Sequence, residues 1–289
     1  MKLSIITVNL NNKDGLEKTI ESVISQTFFD YEYIIIDGGS TDGSIDIIKQ
    51  HIDKITYWVS ESDGGIFNAM NKGILRANGE YCQFLNSGDI LHSKSVLENV
   101  FKKDYVEGII TGNIIEVHSD KTTLRKGRPY TREQEGKSLT AFDLFAGSLF
   151  HQATFIRRNL FDQYGLYNEK YKIVSDSIFF FNLIVLNGVK VKHIDITIVY
   201  FDMNGISNVN ISLDDKEREE AFKELLPSAI LEDYVYFRNM ELEFHNMFKY
   251  KTTYRLGRFI NKLVTLYDIV MRKIRAFIPI GTRHYERTL

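Results

Sequence analysis

The feature that most constrains this chain is the exchange of two hydrophobic periods over its first hundred residues. "KLSIITVNL" is an apolar run rich in β-branched residues, the pattern of a strand covered on both faces. Behind it Leu16, Ile20, Val23, Ile24 and Phe28 recur at helical spacing. The alternation then repeats, with "YEYIIID" as strand, "SIDIIKQHI" as helix, "ITYWVSE" as strand, "IFNAMNKGILRA" as helix and "EYCQFLN" as strand. Strands separated by single helices pair in parallel through right-handed crossovers, so an α/β fold is expected, with a mostly parallel central sheet flanked by helices. In such sheets ligands bind beyond the carboxyl ends of the strands. Asp37, Glu61 and Asp89 all fall there.

The later sequence is less regular. "EGIITGNIIEVHS" reads as a strand or hairpin, and residues 118–140 as a polar, charged loop. "DSIFFFNLIVLNG" reads as a buried helix ended by Gly188, "KVKHIDITIVYF" as a strand, and residues 214–248 as helical. The single cysteine, Cys82, lies within an apolar run; it excludes an internal disulfide framework and reads as a buried, inert thiol in a reducing compartment. No window of 18 or more uninterrupted apolar residues exists and no signal-peptide pattern follows the N-terminus, so a cytoplasmic protein is expected.

The net charge of −2 hides an asymmetry. From Lys249 to Leu289 there are ten Lys/Arg and two acidic residues, a local charge of +8, while the preceding 248 residues sum to −10. In that segment Phe259, Leu263, Leu266 and Ile274 recur at roughly helical spacing beside Arg258, Lys262, Arg272, Lys273 and Arg275. Such a helix suits an anionic membrane surface, which would make the protein peripheral on the inner face of the cytoplasmic membrane. A dimer interface and a solvated helix packed on the main domain are the competing readings. Nucleic acid is not an expected partner, because no recognised nucleic-acid fold accompanies the charge.

The first strand-to-helix turn, "TVNLNNKDG", lacks the spaced glycines of a dinucleotide fingerprint and the GK[ST] of a P-loop. A bound nucleotide's phosphates would then need a carboxylate-held cation, the usual mode for Mg²⁺. In "IIIDGGSTDGS", Asp37 precedes two glycines and can accept hydrogen bonds from a base or ribose, while Asp42 or Ser44 can cap the following helix. "NSGD" ends the fourth strand in turn-forming residues and one carboxylate, so a plain turn and a metal site are both open. His193 and Asp195, two apart on a strand, read as an ordinary polar face ahead of a metal pair.

Taken in order, "SIITVNLNN", "IIIDGGSTDGS" and "ESDGGIFNAMNKGILRANGEYCQFLNSGD" resemble the nucleotide-sugar domain of family 2 glycosyltransferases with the GT-A fold, especially the bacterial exopolysaccharide, capsule and O-antigen branch. The resemblance covers roughly residues 1–210. It implies a glycosyltransferase domain over residues 1–212, with a nucleotide-binding half to residue 100 and an acceptor half beyond it, followed by a helical extension over 213–289. It places Thr7, Asn9, Asp37, Glu61 and Asp63 around the nucleoside, Lys72 near the diphosphate, and Asn86 and Ser87 in the metal motif. Asp89 is its one remaining carboxylate for Mg²⁺ or Mn²⁺, since Asn86 and Gly88 stand where the family carries acids. It makes Asp176 in "KIVSDSIFFFNLI" the base of an inverting transfer, and sets His151 and Gln152 of "FHQATFIRR" and Ser207 of "VYFDMNGISN" near acceptor and diphosphate. The implied reaction moves a hexosyl or N-acetylhexosaminyl group from a nucleotide-diphosphate sugar, UDP foremost, to a hydroxyl of a growing, lipid-linked bacterial glycan. A nucleotidyltransferase and a non-catalytic nucleotide-sugar-binding subunit are the alternatives.

Overall fold

The computed structural model describes residues 1–118, 121–127, 139–145, 147–203 and 210–248. Ser207 and the basic segment from Lys249 onward lie outside them. The chain divides into a compact unit, Met1–Pro227, and a second unit beginning at Ser228, of which the helix Ser228–Phe248 is described.

The first unit opens with β1 (Leu3–Asn9), α1 (Lys13–Ile24), β2 (Tyr31–Asp37), α2 (Ser44–Gln50), β3 (Tyr57–Ser60), α3 (Ile66–Arg76) and β4 (Tyr81–Phe84). These four strands pair in parallel in the order β3-β2-β1-β4. Period-two alternation divides the side chains between two covered faces. Leu3 and Ile5 of β1, with Tyr33 and Ile35 of β2, join one core with Leu16, Ile20 and Val23 of α1 and Ile47 and Ile48 of α2. Helix α3 packs on the other face, so closely that a Cβ on Gly73 would lie 2.4 Å from Ile6 Cγ2. A side chain there would lift the helix off the strand.

The second half turns the sheet antiparallel. After β5 (Ile90–Leu91) and α4 (Val96–Val100) come β6 (Ile109–Val117), β7 (Thr122–Arg125), α5 (Ala141–Phe145), β8 (Thr154–Arg157), α6 (Asn159–Tyr164), α7 (Ser175–Phe181) and β9 (Val191–Asp202). Strand β8 joins β4 and β6 antiparallel, β9 lies parallel to β6, β5 runs antiparallel to β9, and β7 forms a hairpin with β6. Among the described residues the sheet is mixed and nine-stranded, β3-β2-β1-β4-β8-β6-β9-β5, with β7 off the path.

Three stretches differ from the sequence expectation. The charged stretch over 118–140 contains β7, whose four residues alternate too weakly to announce a strand. The helix read through Gly188 is α-helical to Phe181 and continues as a π-helical turn, Asn182–Leu186; Gly188 follows with φ +66°. Residues 214–248 are two helices, Ile211–Leu225 and Ser228–Phe248, because Pro227 forces Leu226 out of the helical region, to φ −115° and ψ 143°. The first of these packs into the main unit through Phe222, whose ring meets Phe145 and Phe181. The compact unit therefore extends to Pro227, past the boundary expected at residue 212.

Candidate active site

The carboxyl ends of the parallel strands are drawn together by backbone bonds that outlast the strands. Gly38 N donates to Asn9 O, Glu61 N to Asp37 O, Leu85 N to Ile6 O and Ser87 N to Val8 O. Residues 9, 37, 61 and 86–89 thus form one continuous edge.

At the β2 end, Asp37 is fully buried. Its Oδ1 accepts from Asn9 Nδ2 at 2.7 Å and Ser40 Oγ at 2.6 Å; its Oδ2 accepts from Ser60 Oγ at 2.5 Å, Ser40 N at 2.9 Å and Gly39 N at 3.2 Å. A carboxylate has about four lone-pair positions, so this one is full. Burial pushes the carboxyl up, but the bonds from Ser40, Ser60 and Asn9 outweigh it and hold it below its ordinary value. Asp37, expected to touch a base or ribose, organises the loop around it through these bonds. Thr7 is similarly inward, fully buried with Oγ1 3.1 Å from the Tyr33 hydroxyl, so it supports the sheet beneath the site. Asn9 Oδ1 is buried without a protein partner.

Around this centre Glu61 pairs with Lys72 at 2.7 Å, and Asp63 Oδ1 accepts from Gly65 N at 2.9 Å. Asp63 lies over the backbone of the next loop: a Cβ on Gly38 would come 2.8 Å from its Oδ2. The loops after β1 and β2 are zipped together, with Asn11 Oδ1 accepting from Thr41 N at 2.9 Å and Asp42 Oδ2 from Lys13 N at 2.8 Å.

Beyond β4, "NSGD" is a turn: Asp89 N donates to Asn86 O at 2.9 Å, and Gly88 has φ +107°. That left-handed geometry excludes an aspartate at position 88 without strain, and a Cβ there would also lie 3.3 Å from Asp202 Oδ2. At position 88 the departure from an acidic run therefore has a backbone cause. Thr19 of α1 clamps the turn, accepting from Gly88 N at 2.9 Å and donating to Asp89 O at 2.8 Å, and Asn12 Nδ2 donates to Ser87 O at 2.9 Å. Turn and candidate site are the same object.

Asp89 is 3% exposed, and its Oδ1 accepts from the backbone N of Asp202, the last residue of β9, at 3.2 Å. Burial pushes the Asp89 carboxyl up to about 7; His151 and the Asp202 amide act against the rise, and the Asp202 charge adds to it. A buried carboxylate beside a second acid is an oxygen-donor site that a hard divalent cation would relieve. Among the described residues no cluster of three or more His, Cys, Asp and Glu side chains forms a metal cage. The remaining ligands of such a cation would have to come from the substrate phosphates and water, the usual arrangement for Mg²⁺.

From the second half, the 3₁₀ turn His151–Ala153 and the first turn of α7 meet this edge. His151 Nδ1 lies 3.0 Å from Asp176 Oδ2, and His151 Nε2 lies 3.4 Å from Asn86 Nδ2. Asp176 and His151 are 13% and 19% exposed. Asp176 Oδ1 accepts from Ser177 N at 2.7 Å. Asn86 Oδ1 is buried and has no protein partner. Gln152 is buried and meets the sheet through its backbone, its carbonyl accepting from Gln83 Nε2 at 2.9 Å.

The fold thus brings Asn86, Asp89, His151 and Asp176 to one place, with Asp202 unforeseen. Its signal was available: "VYFD" ends a strand in a carboxylate, as Asp37 and Asp89 do. Ser40 and Ser60, which saturate Asp37, were also unmarked, because nothing local shows that hydroxyls on two different loops converge. His193 belongs to a polar strand face, with Nε2 3.1 Å from Asn113 Oδ1, while Asn113 Nδ2 donates to Asp195 at 2.9 Å. Cys82 is fully buried, and burial pushes its thiol up to about 12.

Several known proteins are similar to this chain. A glycosyltransferase of PGL/p-HBAD biosynthesis from Mycobacterium bovis is 28% identical over 221 residues, 74% of this chain and 81% of that protein. An uncharacterised glycosyltransferase of Mycobacterium tuberculosis is 32% identical over 179 residues, 61% of this chain and 66% of the relative. The crystal structure of S. aureus TarS 1-349 in complex with UDP superposes with TM-score 0.57 at 21% identity, covering 70% of this chain and 60% of that one. The chain spans 37% of the longer TarS structure. The mannosyltransferase PcManGT from Pyrobaculum calidifontis, in complex with GDP-Man and Mn²⁺, superposes with TM-score 0.53 at 16% identity over 69% of this chain and 56% of that one. These likenesses agree with the α/β sheet in marking a GT-A fold. Residues 4–165, more than half of the chain, match the sequence model of Glycosyl transferase family 2, and the chain belongs to that family.

Proposed function

We propose that this glycosyltransferase moves one hexosyl or N-acetylhexosaminyl group from a UDP-sugar to a hydroxyl of a growing bacterial surface glycan of the capsule or O-antigen kind, with inversion. The observation that carries the reading is the meeting of Asp176, through His151, with the Asn86–Asp89 turn at the carboxyl edge of a parallel sheet. Direct displacement needs a carboxylate within hydrogen-bond reach of the attacking hydroxyl, and a neighbouring place for the departing diphosphate. Asp176 takes the acceptor proton as the hydroxyl oxygen bonds to the anomeric carbon. The bond to the diphosphate breaks, and its electron pair leaves with the nucleotide.

Asp89, with Asp202 beside it, would hold Mg²⁺ or Mn²⁺, which would supply Lewis-acid neutralisation of the diphosphate charge. Asn9, Glu61 and Asp63 border the nucleoside, and Asp37 holds their loops in register. Lys72, 29% exposed and paired with Glu61, is near enough to that edge to exchange its partner for a phosphate. Ser87, with its carbonyl held by Asn12, belongs to the same turn, and Gln152 follows His151 in the chain. Ser207 completes the acceptor side in this reading. The basic segment from Lys249 would bring the enzyme to an anionic membrane surface, where a lipid-linked acceptor resides. No helix among the described residues is long and apolar enough to cross a membrane.

Calorimetric titration of UDP, GDP and dTDP, each with Mn²⁺ and with EDTA, tests the donor side. Cation-dependent binding of UDP that is lost in Asp89→Ala supports the reading. UDP binding indifferent to EDTA and to the substitution removes the metal step, and no nucleotide binding at all removes the donor assignment.

A further inference from the structure

Residues 170–174 lead directly into α7, whose first turn carries Asp176, and they lie in no helix or strand. Buried backbone amides in such a stretch need acceptors from elsewhere. One side chain of helix Ile211–Leu225 supplies two of them. Glu217 is 7% exposed; Lys172 N donates to its Oε1 at 2.8 Å and its Oε2 at 3.0 Å, and Ile173 N donates to Oε2 at 2.9 Å. A backbone amide only donates, so the direction of these bonds is fixed. The same helix holds the stretch in two further ways. Glu220 and Glu224 pair with Lys170 Nζ at 2.8 and 2.6 Å, and Glu224 Oε2 accepts from the Tyr171 hydroxyl at 2.9 Å. Tyr171, Ile173 and Val174 are buried together with Ala221, and Ile178 and Leu213 pack against them, apart from the core that holds Leu3 and Ile5. The exposed ion pairs contribute little. Glu217, by contrast, is buried and grips the main chain itself.

We propose that Glu217 is a positioning residue. By holding the amides of Lys172 and Ile173 it sets where the first turn of α7, and with it the Asp176 carboxylate, stands against His151. The proposal rests on the reading of Asp176 as the base and adds what places it. Val174, between the gripped amides and Asp176, is fully buried and caps α7, with its carbonyl accepting from Ile178 N at 3.0 Å. A shift of the main chain at Ile173 is therefore carried into the turn that presents Asp176. A reacting group misplaced by about 1 Å can lose about a hundredfold in rate. Glu217 acts through the main chain ahead of Asp176. This gives helix Ile211–Leu225 a share in the transfer step as well as in packing.

The test begins with hydrogen–deuterium exchange of the full chain, read by mass spectrometry with no nucleotide or cation added. Glu217→Ala is expected to speed exchange over residues 172–178 about tenfold or more, with β1 to β4 exchanging as in wild type. Glu217→Gln, which keeps one accepting oxygen, should give the same local pattern at smaller amplitude, and it decides alone if Glu217→Ala does not fold. The kinetic arm follows UDP release from UDP-glucose and UDP-N-acetylglucosamine with Mn²⁺. Glu217→Ala should lower kcat about ten- to a hundredfold with donor KM unchanged, and should cost nothing further in an Asp176→Asn background. Where neither donor is turned over, the exchange pattern decides. Exchange unchanged over 172–178, or raised equally through the sheet, overturns the proposal. So does an unchanged kcat or, where Asp176→Asn itself lowers kcat, an equal further loss in that background. Local exchange with kcat indifferent to Asp176→Asn would sink the base reading alone. Unchanged exchange with kcat lost in Asp176→Asn would sink this inference alone.

Discussion

Two aspartates end neighbouring stretches of the same sheet edge, both almost sealed from solvent, and their carboxyls are shifted in opposite directions. Asp37 receives five hydrogen bonds from Asn9, Gly39, Ser40 and Ser60, and its carboxyl is held low. Asp89 accepts from the backbone N of Asp202, faces that residue's charge, and is pushed up to about 7. A buried charge costs free energy unless it is paired or hydrogen-bonded. Asp37 has met that demand inside the protein; Asp89 has met it only in part, and a cation or a proton would relieve the remainder. The pair shows that position at a strand end marks where a site can be, while hydrogen-bond saturation marks which residue is left to act.

The largest expected effect lies on the acting side. Asp89→Asn should reduce sugar transfer by about a thousandfold, in the range seen when groups stabilising a transition-state charge are removed, measured with UDP-sugar donor and Mn²⁺. The same variant should be more stable than wild type at pH 8 without cation. The folded-state carboxyl lies above its unfolded value of 3.8, so wild-type stability from this group is complete below about pH 4 and is lost as pH rises towards about 7. Thermal melts in EDTA across that window should slope for wild type and lose that contribution in Asp89→Asn. A wild-type curve without it would break the comparison.

Asp176→Asn should lower kcat by roughly a hundredfold to ten-thousandfold, the usual contribution of a positioned base, with UDP affinity unchanged by calorimetry. Asp37→Ala should act the other way round. It leaves Asn9, Ser40 and Ser60 donors buried without an acceptor and should cost about 3 kcal/mol of stability in urea unfolding. Because the Asp37 carboxyl is held low, its contribution is present at neutral pH and is lost as pH falls through the folded-state value, so the gap to wild type should narrow in acid. Equal stability of the two at pH 7 would refute the scaffold role.

A smaller effect should follow Gly88→Ala, about 1 to 2 kcal/mol from forcing a side chain into φ +107°. Glu217→Gln should give the smallest, about 1 kcal/mol. The Glu217 carboxylate on helix Ile211–Leu225 accepts from Lys172 N at 2.8 Å and Ile173 N at 2.9 Å, just ahead of α7. Urea unfolding reads both.

The amino-acid sequence by itself determined the parallel half of this protein and the neighbourhood of its site. Consecutive strand and helix periods encode β1 to β4 directly, because each element's burial pattern is local and the crossover rule joins them in one way. It also determined the strand-end carboxylates and Asp176, whose residue types and motif order were legible along the chain. Only the tertiary structure decided the rest. Strand β8 and the 3₁₀ turn carrying His151 are short, and their partners are about seventy residues away, so no local period announces them. The inclusion of the 211–225 helix in the main unit depends on Phe222 meeting Phe145 and Phe181. The saturation of Asp37, the exposure of Asp89 to the charge of Asp202 and the contacts of His151 with Asn86 and Asp176 all join residues from separate loops. Hydrogen-bond satisfaction is a property of three-dimensional convergence, and in this protein it separates Asp37 from Asp89.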